Sequence, residues 1–480
     1  MMRESRRTNF IILAALLMIA AAFAAYASLV MRWFASPKAV ATTAAVDEKV
    51  AAEAALLSAR RDFRERLLDP RAHLRLSEAL WKSGRPVDSF YVMYAARQLF
   101  SDEEFRKAHT EVVLGVGGPA SAARARLKGL TDPALTVPIY AEVARDYPET
   151  PEGRDSLDQL SRLAMASESS AGGDAARLAR TALEELNRAD PKNPDKLAAL
   201  AGAAFARGET DMASALANDA WNKYPGHAGA ARIMAMLALK DRDLKSAEKW
   251  LRAAWDRNAD DLYSAAKLAQ IYDKGRGDPE SALPYYLALY RQNPDYADEE
   301  PAETRIRVTL DHRRESLLRD APVEGLGGRF KTDDASLRAE AALRAASLKD
   351  PRWIDALGDL LDDDAEIVRR NADYALFQIG QKEPDAVHAR RDQWLNSEKP
   401  LVRIRALNLY ADLEGKNAFP AVVAALRDPN AGVRAFAKIM VLDHYYKRQP
   451  DAVKLRARYL AEEKDPEALA FVKRYASAAP

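Results

Sequence analysis

The sequence of 480 residues has no cysteine and almost no excess of charge. Without cysteine, the chain can form no disulfide bond, thiolate zinc site or iron–sulfur cluster, and it has no cysteine nucleophile. Its 72 Lys plus Arg residues are balanced by 71 Asp plus Glu residues. A chain with so little net charge is a poor nucleic-acid binder by charge alone, so we expect no nucleic acid among its partners.

Motifs that carry catalysis or bind metals are missing as well. The six histidines form no HExxH pattern, and no G-x-S-x-G motif occurs. The acidic turn at 362–364 lacks the glycine and the closing glutamate of an EF-hand. The glycine-rich stretches at 115–118 and 325–328 lack the Lys-Ser/Thr pair of a phosphate-binding loop. We therefore predict a protein that is not an enzyme and that uses neither a cofactor nor a metal ion.

One uncharged segment, residues 10–31, is long enough to cross a bilayer, which takes about 20 apolar residues. Residues 1–9 carry three arginines, and the excess of positive charge before the segment favours a cytoplasmic amino terminus. We therefore predict a cytoplasmic tail and transmembrane signal anchor over residues 1–34. A tether over 35–46 would lead to periplasmic repeats in a single-pass membrane protein.

A cleaved signal peptide is the alternative for the same segment. Ala25, Tyr26 and Ala27 match an A-x-A cleavage site. Cleavage there would leave a secreted periplasmic repeat protein. Apolar sequence continues past this site and favours retention of the anchor.

Runs of Val, Ile and Thr are scarce, whereas Ala, Leu and Arg are abundant, which predicts an all-α fold. The segment 194–227 indicates how the helices pair. Its small and apolar residues form two helical stripes around a turn at 208–210: Leu197, Leu200, Ala201 and Ala204, then Ala213, Ala217 and Ala220. One such hairpin cannot bury both of its faces, so it requires neighbours of the same kind.

The neighbours recur with a fixed period. Ala179, Ala213 and Ala247 are each separated by 34 residues, and Ala282 follows one residue late. This spacing resembles the tetratricopeptide repeat, and the resemblance implies an α-solenoid of helical hairpins. We assign degenerate helical repeats to residues 47–150 and tetratricopeptide-like repeats to residues 151–296.

A different repeat follows a predicted linker over residues 297–329, which contains a helix near 304–318. Over residues 330–480, an apolar residue is followed seven positions later by Leu or Val next to Arg, and then by Ala. The four sets are Phe330/Leu337-Arg338/Ala341, Leu361/Val368-Arg369/Ala372, Leu395/Val402-Arg403/Ala406 and Leu426/Val433-Arg434/Ala437. These repeats resemble HEAT repeats of the phycobilin-lyase type.

The HEAT-like resemblance implies a ladder of polar contacts between successive repeats. In that family an Asp in the turn between helices pairs with an Arg at the start of the second helix. The matching positions here are Asp363 and Asp428 for the acid, and Arg369, Arg403 and Arg434 for the base. Ser397 departs from the pattern, so the ladder is not expected at the middle repeat.

The tetratricopeptide-like resemblance also implies a concave surface built from fixed positions of each first helix. The candidate partner-binding residues at these positions are Phe205, Arg232, Met236, Leu239, Lys240, Tyr263, Gln270 and Lys274. The five positions that grip a peptide carboxylate in some relatives are occupied by Ala198, Gly202, Ile233, Tyr263 and Lys267, so a chaperone-tail receptor is not expected. An apolar groove of this kind suits an amphipathic partner helix, although the chain's own segment 304–318 could also fill it.

Both resemblances specify architecture and hardly constrain activity. We predict a non-catalytic, membrane-anchored scaffold that binds partner proteins through its solenoid, within a bacterial-type envelope assembly. An assembly factor for an envelope machine, such as polysaccharide export, a pilus or cytochrome maturation, is the alternative. The sequence identifies neither the partner nor the oligomeric state.

Overall fold

The computed structural model describes residues 37–114, 123, 126–127, 130–147, 150–164, 173–190, 193–259, 261–320, 323–439 and 450–478. Within these ranges the regular secondary structure is helical, apart from one isolated bridge between Ala297 and Pro301. The predicted all-α class is confirmed.

The first four helices form an N-terminal block: α1 (Pro37–Glu65), α2 (Pro70–Lys82), α3 (Pro86–Leu99) and α4 (Asp102–Val112). Local sequence explains where these helices begin. Asp69 caps α2 by accepting a hydrogen bond from the backbone of Arg71, and Pro70 occupies the first turn, where its missing N–H costs nothing. Ser101 and Glu104 form a capping box at the start of α4.

A tetratricopeptide-like array follows, with helices paired as the period predicts. Its helices are α5 (Pro133–Asp146), α6 (Pro151–Ala164), α7 (Gly173–Ala189), α8 (Pro194–Ala206), α9 (Thr210–Lys223), α10 (Ala228–Lys240), α11 (Leu244–Arg257), α12 (Leu262–Gln270) and α13 (Pro279–Gln292). The alanines that set the period, Ala179, Ala213, Ala247 and Ala282, are fully buried. Small side chains at these points let neighbouring helices approach closely, as the sequence indicated.

The turns inside successive hairpins share one backbone conformation. Gly208, Arg242 and Gly277 occupy equivalent places and have φ angles of 81°, 60° and 64°. Glycine adopts this left-handed conformation without penalty, whereas an arginine does so at a cost. The hairpin geometry is therefore kept at Arg242 even though its residue type is unfavourable there.

The region predicted as a linker contains helices whose described apolar side chains are buried. It contains α14 (Ala302–Asp320), a 3-10 turn at Val323–Gly325 and α15 (Leu326–Arg329). Ile306 and Leu310 of α14 are buried in the same apolar cluster as Tyr290. Leu326 and Phe330 are buried in the core of the repeats that follow. These four apolar side chains thus pack against the repeats on either side, and the assignment of residues 297–329 as a linker stays a prediction.

A second set of helices follows, and we call it the HEAT-like array after the resemblance in its sequence. Its helices are α16 (Ala335–Leu348), α17 (Ile354–Leu360), α18 (Glu366–Lys382), α19 (Pro384–His388), α20 (Arg391–Leu395), α21 (Pro400–Glu414), α22 (Phe419–Ala425), α23 (Ala431–Phe436), α24 (Pro450–Glu462) and α25 (Pro466–Ala478). Short 3-10 turns precede α17 and α22, at Pro351–Trp353 and Gly415–Ala418.

The N-terminal block packs against the HEAT-like array and the last hairpin of the first array. Leu56 and Phe63 of α1 share a buried cluster with Leu407 and Val433. Phe90 of α3 is buried with its ring 5.1 Å from that of Tyr290 in α13. The chain therefore doubles back on itself, which its linear order of repeats did not predict.

The predicted membrane localisation is corrected by the structure. Among the residues that the structure describes, no helix is both long enough and apolar enough to cross a bilayer. The segment 10–31, on which that prediction rested, and the cleavage site at 25–27 lie outside the described residues. Helix α1 begins at Pro37, so the predicted tether over 35–46 is helical from that residue onward. A single-pass membrane localisation is therefore not supported.

Candidate functional site

A cavity of about 720 Å³ opens across three successive hairpins of the tetratricopeptide-like array. We call it the groove. Its lining consists of Phe205, Met236, Leu239, Lys240, Leu244, Tyr263, Lys267, Gln270, Ile271, Gly275 and Arg276. The first helices α8, α10 and α12 supply most of these residues, and apolar side chains dominate. Leu244 at the start of α11 is 61% exposed.

The structure brings six of the eight predicted partner-binding residues together around the groove: Phe205, Met236, Leu239, Lys240, Tyr263 and Gln270. The other two hold the array together instead. Arg232 donates to Asp158 at 2.6 Å and to Asp261 at 3.5 Å. Lys274 forms ion pairs with Asp298 and Glu299. Their charges are neutralised within the chain, and neither side chain is part of the lining.

Sequence reasoning missed the part of the groove that follows α12. There the chain makes a π-helical turn at Ile271–Gly275, and Ile271, Gly275 and Arg276 line the groove. A π turn inserts one residue into a helix, and such turns are frequent at functional sites. The available signal was Ala282, which falls one residue later than the period requires.

Side chains from two neighbouring elements fix the π turn. The Tyr286 hydroxyl of α13 donates to Asp273 Oδ2 at 2.9 Å, and Arg305 of α14 lies 3.4 Å from the same carboxylate. Burial, together with the bond to Asp273, raises the pKa of Tyr286, so the hydroxyl keeps its proton and remains a donor. The wall of the groove after α12 is thus held in one conformation.

The charged side chains that line the groove are all cations. Arg276 is paired with Glu248 and lies over the ring of Tyr272, 5.0 Å from its centre. Lys267 Nζ donates to Gln270 Oε1 at 3.0 Å, and Lys240 Nζ lies 6.0 Å from the centre of the Phe205 ring. Among the described residues, no carboxylate lines the groove.

The chain's own helix α14 does not fill the groove. Its apolar residues Ile306 and Leu310 are fully buried in the cluster that contains Tyr290 and Phe90. None of the residues that line the groove belongs to α14. The sequence allowed the segment 304–318 to occupy the groove, and the described side chains of this segment do not do so.

The HEAT-like array contains a second polar feature, built on four arginines at the starts of helices. Each donates through Nη1 to the carbonyl oxygen six residues earlier: Arg338 to Thr332, Arg369 to Asp363, Arg403 to Ser397 and Arg434 to Asp428. Three of them also reach a carboxylate of the next repeat: Arg338 at Asp363, Arg403 at Asp428 and Arg434 at Glu463. The two-pronged bond from Arg434 lowers the pKa of Glu463 to about 2.

The ladder is interrupted where the sequence indicated. Ser397 supplies no carboxylate, and Arg369 instead donates to Glu366 in its own helix at 2.7 Å. Glu366 also binds Arg405 of α21, so an ion pair still joins these two repeats. The ion pair between Glu366 and Arg405 thus replaces the missing contact of the ladder.

The acidic turn at 362–364 pairs with arginines. Its three carboxylates bind different partners: Asp362 binds Arg64, Asp363 binds Arg338, and Asp364 binds Arg60. In the described ranges, no group of three or more potential ligands is placed to hold a metal ion. Since Arg60 and Arg64 belong to α1, this turn is an attachment point for the N-terminal block.

The buried histidines have structural partners. Nε2 of His73 is 2.8 Å from the carbonyl oxygen of Leu67, and burial lowers the pKa of His73 to about 4. His109 makes the same kind of bond with Arg291. His227 caps α10 by accepting from the backbone of Ala230.

No protein-family model and no curated protein matches the sequence. Two solved structures of IFIT1 are similar to this chain over 88% of its length and 95% of theirs, at 13% sequence identity. One is a monomeric mutant with m7Gppp-AAAA, with a TM-score of 0.23, and the other a monomeric mutant with Gppp-AAAA, with a TM-score of 0.22. At such low TM-scores neither match bears on what this chain binds. The expectation of no nucleic-acid partner stays a prediction.

Proposed function

We propose that this protein is a non-catalytic scaffold that binds a helical segment of a partner protein in the groove. One observation carries the proposal: three hairpins hold apolar side chains around an open cavity of about 720 Å³. Apolar residues along such a groove match the apolar stripe of an amphipathic helix, whose contacts recur every three to four residues. Met236 adds an unbranched side chain that adapts to different partners.

The other extended surface is less available. The Asp362–Asp364 turn and Arg338 of the HEAT-like array are bound to Arg60, Arg64 and Asp88 of the N-terminal block. The groove has no such intramolecular occupant among the described residues. The envelope assemblies expected from the sequence depend on the segment 10–31, and the proposed function does not include them.

Two double variants test the proposal. We call Phe205, Met236 and Leu239 the floor of the groove. Met236→Glu with Leu239→Glu places two negative charges on this apolar floor, and we expect the variant to abolish recovery of partner proteins from extracts of the native cells. Leu178→Glu with Met212→Glu is the matched control, since these residues are 39% and 45% exposed and lie outside the groove. The control should recover partners normally.

Circular dichroism and the melting temperature show whether a loss of partner recovery comes from a damaged groove or from an unfolded protein. Both should stay nearly unchanged in the Met236→Glu/Leu239→Glu variant, because the two side chains are only partly buried. Unaltered partner recovery would place binding on another surface. A collapsed melting transition would show that the groove is internal core, which would also overturn the proposal.

A further inference from the structure

The charged side chains in the lining of the groove all have the same sign. Besides the neutral polar side chains of Tyr263 and Gln270, the lining has three cations, Lys240, Lys267 and Arg276, and the described residues bring no carboxylate into it. The chain as a whole has 72 basic and 71 acidic side chains, so the lining differs in charge from the rest of the sequence. The local excess of positive charge has to be met by solvent or by a ligand.

Two of the three cations are available to a ligand. Arg276 is committed to Glu248. Lys240 and Lys267 have no carboxylate within ion-pair distance in the described part of the chain. Lys240 ends α10 and leans over Phe205, and Lys267 projects from α12. They therefore stand on two neighbouring hairpins, beside the same apolar floor.

One acid close enough to Lys267 to feel its charge, Asp298, has other hydrogen-bond and ion-pair partners. Asp298 accepts from Gln270 Nε2 at 2.6 Å, and it is within 3.4 Å of Lys274. The bond from Gln270, together with the charges of Lys274 and Lys267, lowers the pKa of Asp298. Asp298 is thus satisfied by Gln270 and Lys274, outside the lining.

We infer that the helix bound in the groove is acidic: its apolar stripe contacts Phe205, Met236 and Leu239, and carboxylates beside that stripe pair with Lys240 and Lys267. This inference rests on the proposed function and names the chemistry of the partner. Complementary charge at a rim contributes mainly to selectivity and to the rate of association. A basic amphipathic helix is disfavoured by the same two lysines.

A displayed library of helical peptides tests the inference. Each peptide has about 16 residues, or roughly four turns, with leucine and methionine on one stripe and random residues beside it. The library is selected against the full-length protein. We expect Asp and Glu to be enriched beside the stripe. Selection against Lys240→Glu with Lys267→Glu should reverse the preference and enrich Lys and Arg.

Two control variants make the outcomes distinguishable. Lys107→Glu with Lys245→Glu changes the net charge equally at exposed sites outside the groove, and it should keep the preference for acids. Met236→Glu with Leu239→Glu should abolish selection. If the same peptides are enriched without that floor, the groove is not the site, and the inference and the proposed function both fail.

The inference alone fails if selection requires the floor but shows no acidic preference, or if the preference survives reversal of the two lysines. The affinity of one enriched peptide, measured separately, gives the size of the contribution of the two lysines. Its affinity for the Lys240→Glu/Lys267→Glu variant should fall by about tenfold or more, since two exposed ion pairs are replaced by repulsion. Raising the salt from about 50 mM to about 500 mM should weaken binding to the wild type.

Discussion

Arg338 binds two aspartates at once: Asp363 in the next repeat at 2.7 Å, and Asp88, which lies 250 residues earlier in the chain. Arg338 is 4% exposed and Asp88 is fully buried. Asp88 also accepts from Arg85 at 3.1 Å, so the buried carboxylate has two cationic partners. This cluster joins the N-terminal block to the HEAT-like array at their most deeply buried polar contact.

Asp88→Asn should strongly destabilise the protein. The change preserves shape but leaves Arg338 with one carboxylate fewer in a buried site, and breaking a buried ion pair costs about 3–5 kcal/mol. Urea unfolding measures the loss. The double variant Asp88→Asn/Arg338→Met should lose less than the sum of the two single changes. Additive losses would show that the two side chains are not coupled.

The ladder between HEAT-like repeats depends on the shape of arginine. Arg403 donates to both oxygens of Asp428 at 2.7 Å and to the carbonyl oxygen of Ser397. Lysine keeps the charge but cannot make these three directed bonds, so Arg403→Lys should lower the free energy of unfolding by about 1–3 kcal/mol. Arg427→Lys, at an exposed position next to Asp428, is the control and should change the free energy of unfolding little. Equal effects would argue that the charge alone matters.

The parts of the fold that repeat could be predicted from the sequence. Buried alanines such as Ala213 and Ala247 recur at the period of the hairpins, and the period located the first helices whose residues line the groove. Ser397 marked the missing rung, because that rung needs a carboxylate at one fixed position. In these cases a local pattern is sufficient, since each repeat contacts its neighbours in sequence.

Contacts between distant segments could not be predicted in this way. The pairing of Asp88 with Arg338 crosses 250 residues, and no period relates the two positions. Arg232 occupies a groove position in the repeat but is bound by Asp158 from α6. The π turn at Ile271–Gly275 changes which side chains line the groove, and its only sequence signal is a displacement of one residue. Tertiary contacts decide all three features.

Two partly buried acids beside Arg405 have pKa values shifted in opposite directions. Burial raises the pKa of Asp373 to about 7, because it outweighs the attraction of Arg405, whose guanidinium is 3.7 Å away. Asp412 and Glu366 add to the rise by repulsion. Burial acts on Glu366 in the same direction, but Arg405 and Arg369 outweigh it and lower the pKa of Glu366 to about 2.

These shifts predict opposite pH dependences for the contributions of Asp373 and Glu366 to the free energy of unfolding. Because folded Asp373 holds its proton more tightly than the unfolded chain does, its contribution to stability is lost as the pH rises from about 4 to about 7. Glu366 acts oppositely, and its contribution is lost as the pH falls from about 4.5 towards 2. Asp373→Asn should remove the first slope, which is worth up to a few kcal/mol at about 1.4 kcal/mol per pKa unit. Asp385→Asn, on the exposed face of α19, is the control and should retain it. Unfolding free energies measured by urea titration from pH 4 to pH 8 check this, and parallel profiles for the wild type and Asp373→Asn would contradict it.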